Sequence, residues 1–226
     1  MARKWRISES GSGVQGVSGV RIVPLRGRAD RDAFLRLPWQ IFADDPAWGP
    51  PLLFDRREQI DERRNPCFRH AGWQGFLALR DGRPVGRISA QIDRLNAELG
   101  RPELGYFGLL DAIDDPAVFS ALLGAAEAWL RARGMRRTVG PFNLGINQEV
   151  GLLVDGFDTP PYFMMTHARR WYEPHVRAAG YTVARELLAY ELSPRFPRPP
   201  LMTSLMRRMA GRLVVRTLDR RDVAGD

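Results

Sequence analysis

The sequence predicts an α/β domain (α+β by stricter naming): a mixed, mainly antiparallel sheet flanked by helices. Three observations lead there. Two apolar runs, Trp73–Arg80 and Val85–Asp93, are joined across Asp81-Gly82, the pattern of a tight antiparallel hairpin. Val118, Phe119, Leu122, Leu123, Ala126, Trp129 and Leu130 recur at helical spacing between an Asp115-Pro116 start and a Gly134 stop. The full order reads strand, helix, three strands, helix, strand, helix, strand, which mixes hairpins with crossovers.

Residues 1–19 are Gly/Ser-rich, without periodicity, and are expected to be disordered. Val20–Leu25 alternates as a short strand. Asp30–Asp44 reads as a helix with Asp30 as its cap and Phe34, Leu35, Leu37, Ile41 and Phe42 as its apolar face; Pro38 predicts a kink or an early break. Asp45–Pro51 is a turn-rich loop, and the polar segment Asp55–Arg64 a short exposed helix. After the hairpin, Leu104–Leu110 is a third strand in which Gly105 and Gly108 predict a bulge or a close backbone approach. Beyond the long helix, Arg137–Pro141 is a short strand, Pro174–Ala179 a second, shorter helix ending at Gly180, and Val183–Leu192 a final strand. Residues 193–200 form a Pro-rich linker, Leu201–Arg212 a short helix, and Leu213–Leu218 an extended segment. Val214–Leu218 followed by Asp219-Arg220-Arg221-Asp222 echoes Val20–Leu25 and its Arg/Asp-rich continuation, so residues 212–226 are expected to begin a second domain of the same type.

The chain has 226 residues, of which 44% are apolar, enough for one core or one core and the edge of another. The single cysteine, Cys67, excludes a disulfide framework and a multi-cysteine zinc site. No apolar run approaches the ~18 residues of a membrane span. Arg3, Lys4 and Arg6 are followed by Ser and Gly, where a secretion signal would be apolar. The expectation is a cytoplasmic protein with no membrane partner. There are 34 basic and 26 acidic side chains, but residues 41–192 carry 18 basic and 20 acidic, so the excess of positive charge lies in the flanks. A phosphate-tracking groove needs cations clustered on the folded body, so nucleic acid is not the expected partner.

The loop after the Arg137–Pro141 strand holds Asn143, Asn147 and Glu149. Amides orient polar substrates and a carboxylate can take a proton from an amine, so these are the candidate binding pair and base; the competing reading is local capping of a turn. His70, His167 and His175 show no metal spacing, and no metal is expected. Cys67, three residues before His70, reads as a small buried apolar residue rather than half of a thiolate pair.

The segment Gly134-Met-Arg-Arg-Thr-Val-Gly-Pro-Phe-Asn143-Leu-Gly-Ile-Asn147-Gln-Glu149, continued by Gly156-Phe-Asp-Thr-Pro-Pro161, and the segment Trp171-Tyr172-Glu-Pro-His-Val-Arg-Ala-Ala-Gly180-Tyr181 resemble the GCN5-related N-acetyltransferase superfamily (GNAT), in particular a bacterial group of GNAT-like proteins. The resemblance covers residues 20–192. It implies acyl transfer from acetyl-CoA or another acyl-CoA to a small-molecule or peptide amine, with Glu149 as base or amine orienter, Asn143 and Asn147 as substrate binders, and Tyr172 as the acid for the departing thiolate. It also implies a second GNAT-like domain in the same chain, and that Trp39, Phe42, Trp48 and Phe54 lie over a substrate groove. In GNAT enzymes the pyrophosphate rests on backbone N–H groups of a Gly-rich turn at a helix N-terminus, where the helix dipole favours an anion. The corresponding turn here is Asp111-Ala112-Ile113-Asp114-Asp115, with no glycine, no cation and three carboxylates. Such a turn repels a pyrophosphate, and Asp115 as a cap consumes its donors. Two readings stay open: an N-acyltransferase, or a degenerate GNAT-like scaffold for a downstream domain.

Overall fold

The computed structural model describes residues 2–4, 19–190, 195, 197–212 and 217. Met1–Leu187 forms one compact unit and Leu188–Asp226 a second.

The first unit is a six-stranded sheet in the order β1-β6-β5-β4-β3-β2. Its strands are β1 (Ala2–Lys4), β2 (Val20–Pro24), β3 (Ala71–Arg80), β4 (Arg83–Asp93), β5 (Leu104–Ala112) and β6 (Arg137–Val139). All neighbours are antiparallel except β5 and β6. The mixed, mainly antiparallel sheet predicted from the sequence is therefore the one formed. Helices α1 (Arg28–Ile41), α2 (Leu53–Gln59), α3 (Leu95–Glu98), α4 (Pro116–Arg131) and α5 (Tyr172–Ala178) surround it.

The β3–β4 turn is as expected, with Asp81 and Gly82 at φ 49° and 76°, the left-handed pair of a tight hairpin. Helix α4 starts on Asp115, whose carboxylate accepts from the Ala117 and Val118 N–H groups, with Pro116 next. Its buried stripe, Val118, Phe119, Leu122, Leu123, Ala126 and Leu130, covers one face of the sheet. Gly86 permits that contact: a Cβ there would sit 2.7 Å from Leu122 and 2.9 Å from Val118.

Helix α1 lies on the other face. Gly27, not Asp30, is its N-cap; Asp30 sits one turn in and its carboxylate accepts from the Arg26 and Gly27 N–H groups. Pro38 does not break α1. It stands in the last turn, and the carbonyl its missing N–H leaves free, that of Phe34, accepts instead from Arg87 Nη1 at 2.9 Å.

Two expectations fail. Ala2–Lys4, placed in a disordered tail, forms β1 on the outer edge of β6; the tail from 5 to 18 lies outside the described residues. Residues 183–190 form no strand and are exposed. They pair with no strand of the sheet, and a strand without a partner has no ladder to stabilise it. Glu191 and Leu192 lie outside the described residues, as does nearly all of the 212–226 segment expected to open a second domain.

In the second unit, Pro200–Met209 forms helix α6.

Candidate functional site

The parallel ladder between β5 and β6 covers only Leu104–Tyr106 against Arg137–Val139, although β5 runs on to Ala112. The divergence is filled by the loop that follows β6. Phe142 N–H donates to the Phe107 carbonyl at 2.7 Å, and the Asn143 carboxamide oxygen accepts from Leu109 N–H at 2.7 Å. The close approach expected at Gly108 is confirmed: a Cβ there would lie 2.3 Å from the Phe142 carbonyl oxygen. Beside it, Leu109 takes a φ of 46° where the β4–β5 register shifts.

That loop is tied down from all sides. Gln91 brackets Leu144, accepting from its N–H at 3.0 Å and donating to its carbonyl at 3.2 Å. Cys67 Sγ donates to the same carbonyl at 3.1 Å. Burial raises the Cys67 thiol above its ordinary pKa, and the neighbouring Asp93 charge adds to this, so the residue is the inert packing thiol expected. His70 pairs with Asp93 rather than with Cys67.

A cleft of about 100 Å³, open to solvent, lies between this loop, α1, Trp48 and segment 161–167. Glu149 lines it. One of its carboxylate oxygens pairs with Arg56, and the other accepts from the Asn143 side-chain N–H₂ at 3.1 Å. The structure thus joins Asn143 and Glu149, as the sequence suggested, and adds Arg56 from α2, which no local pattern marked. Asn147 is exposed at the loop tip and does not line the cleft. Phe42 and Trp48 stack at 5.3 Å and form a wall, with Trp39 edge-on to Trp48; Phe54 is exposed and takes no part.

The inner end holds a buried polar chain. Arg87 donates to Asp111 at 2.7 Å, and Tyr172 Oη donates to the other Asp111 oxygen while accepting from Ala112 N–H, both at 3.2 Å. Burial first, and the Asp111 charge second, push the Tyr172 phenol well above its ordinary pKa. Its proton is held by Asp111.

Across the cleft stands His167, which the sequence analysis considers only as a metal ligand. His167 is buried, its Nε2 is 2.9 Å from Asp45 Oδ2, and its Nδ1 has no hydrogen-bond partner among the described residues. Burial alone would raise the Asp45 carboxyl; the hydrogen bonds from His167 and Ala47 N–H and the charges of His167 and Arg169 outweigh it and hold the carboxyl below its ordinary value. The usable signal in the sequence was the Asp45-Pro46 turn, read only as a loop.

The Asp111–Asp115 turn corrects one part of the electrostatic expectation. Each carboxylate has a basic partner: Asp111 with Arg87, Asp114 with His175 at 2.7 Å, Asp115 with Arg80 at 2.5 Å. The turn is not a bare negative patch. The other part stands, because Asp115 occupies the amide donors that open α4. Among the described residues no cluster of His, Cys, Asp or Glu is placed to hold a metal ion, and no helix is long and apolar enough to cross a membrane.

The element order and the mixed sheet, parallel only between β5 and β6, match the fold class that the sequence predicts. Over 200 residues it is 46% identical to the bacterial ceramide synthase of Caulobacter vibrioides (strain NA1000 / CB15N), spanning 88% of this chain and 52% of that protein. Over 196 residues it is 43% identical to Protein YghO of Escherichia coli (strain K12), spanning 86% and 50%. The chain therefore spans about half the length of the curated relatives it matches. Among solved structures, a putative acetyl transferase from Pyrococcus furiosus aligns at TM-score 0.45 with 16% identity over 76% of this chain and 99% of that one. An aminoglycoside acetyltransferase from an uncultured soil metagenomic sample, solved with sisomicin, aligns at TM-score 0.44 with 12% identity over 78% and 97%. No protein-family model matches the chain.

Proposed function

We propose that this chain supplies the acceptor-binding cleft of an N-acyltransferase whose acceptor is an amine on a long aliphatic chain. The observation that carries the reading is Glu149, shared between Arg56 and Asn143, in a cleft walled by Phe42 and Trp48: a polar anchor for an amine head beside apolar surface for a chain. The relative named as a ceramide synthase supports the same substrate class, since a ceramide is the amide of a fatty acid and a long-chain amino alcohol. In this reading Glu149 and Asn143 orient the amine, and the neutral imidazole of His167, with Nε2–H on Asp45 and Nδ1 unbonded, is the acceptor for its proton. Tyr172 acts through Asp111 as a positioning residue rather than as the thiolate-side acid. Asn147 lies outside the reading.

Acyl-CoA is the donor that GNAT-like proteins imply. The residues present do not fit it at the usual place, because the α4 amides are capped by Asp115. We therefore assign no donor-binding step to residues 20–192.

Titration of the chain with a long-chain 2-amino alcohol, followed by tryptophan fluorescence, tests the assignment. Binding in the micromolar range, weakened about tenfold or more in E149Q and in the N-acetylated ligand, is expected from loss of one charge-assisted contact. Equal binding by E149Q and the wild type would remove Glu149 from the site. A second reading, a scaffold domain without catalysis, is favoured by the capped turn alone.

A further inference from the structure

We propose that helix α6 is a surface anchor for an anionic lipid bilayer. Leu201, Leu205 and Met209 follow one another at intervals of four, and Met202 and Met206 lie beside them. At about 100° per residue these five cover an arc of about 140°. The remaining arc carries Thr203, Ser204, Arg207 and Arg208. The apolar arc is not a core face: Leu201 is 80% exposed, and Met202, Leu205 and Met206 are each more than half exposed.

The charge around the helix selects the occupant. Arg195 and Arg198 precede it, Arg207 and Arg208 close it, and Arg212 follows, while no acidic residue stands between Glu191 and Asp219. A flexible Leu/Met face bordered by arginine alone suits the boundary between acyl chains and phosphate headgroups. A protein partner would need shape complementarity that four exposed, rotamer-rich side chains do not define. The absence of a spanning segment had suggested no membrane partner, but a helix lying in the interface needs no such segment. The inference does not depend on the acceptor assigned above.

Sedimentation of the 226-residue chain with vesicles tests it. The vesicles are phosphatidylcholine alone, or phosphatidylcholine with about one third phosphatidylglycerol. Binding to the anionic vesicles is expected, falling about tenfold between low and high salt. L205E/M206E is expected to bind about tenfold more weakly or not at all, and R207S/R208S about fivefold or more weakly. Both variants should keep the wild-type melting temperature, since neither touches a buried residue; should L205E/M206E melt early, the R207S/R208S result decides. Absence of binding, equal binding to both vesicle types, or undiminished binding by L205E/M206E would overturn the proposal, and so would a wild-type dimer that L205E/M206E dissociates.

Discussion

Asp115 carries two structural duties at one position, capping α4 with one oxygen and pairing with Arg80 through the other. The Arg80 hydrogen bond is the largest influence on its carboxyl, and it outweighs burial so that the pKa lies below the ordinary value. A depressed carboxyl pKa stabilises the fold above the unfolded-state value, and the contribution is lost as pH falls through the folded-state value. D115A should therefore cost about 1–2 kcal/mol at neutral pH, measured by urea denaturation, with the deficit shrinking as pH falls through the lowered folded-state value. A deficit independent of pH would mean that the charge contributes nothing. At the cleft, Y172F removes one hydroxyl from the Arg87–Asp111 chain and strands the Ala112 N–H. A loss of about 1–3 kcal/mol is expected, the scale for an orphaned buried donor. A variant as stable as the wild type would show that the chain does not rely on Tyr172.

The β5–β6 junction concentrates the constraints on single elements. Gly108 and the Phe142 carbonyl approach so closely that any side chain must push the loop carrying Asn143 away from β5. G108A should destabilise by about 1–3 kcal/mol, the usual range for overpacking. It should also weaken the Leu109 N–H to Asn143 bond, which faster amide exchange at Leu109 would register. Unchanged exchange there would mean that the loop absorbs the methyl group elsewhere. Pro38 makes the same point for α1: a residue that looked like a helix breaker frees a carbonyl for a guanidinium on the facing strand.

Across the whole molecule, Asp115 closes the amides that open α4, and the cleft that Glu149 lines stands beside the strand leading into that turn. Calorimetry with acetyl-CoA is expected to show no binding heat at micromolar concentrations for this chain. Measurable micromolar affinity would refute the plugged turn and assign donor binding to residues 20–192. The charge distribution has the same regional character: positive excess sits in the flanks, and α6 turns part of it to a local use.

The β3–β4 hairpin, the Asp115–Pro116 start of α4 and its apolar stripe were legible because each signal sits within a few residues of what it specifies. The Asn143–Glu149 pair was legible for the same reason, six positions apart on one loop. Other features needed the folded chain. Arg56 reaches Glu149 across 93 positions, Asp45 reaches His167 across 122, and Arg87 reaches Phe34 across 53, distances over which no local periodicity carries information. The missing last strand is the same lesson in reverse. Val183–Tyr190 had an acceptable pattern, but a strand forms only against a partner strand, and whether the folded sheet brings one to this segment is not written in the segment itself.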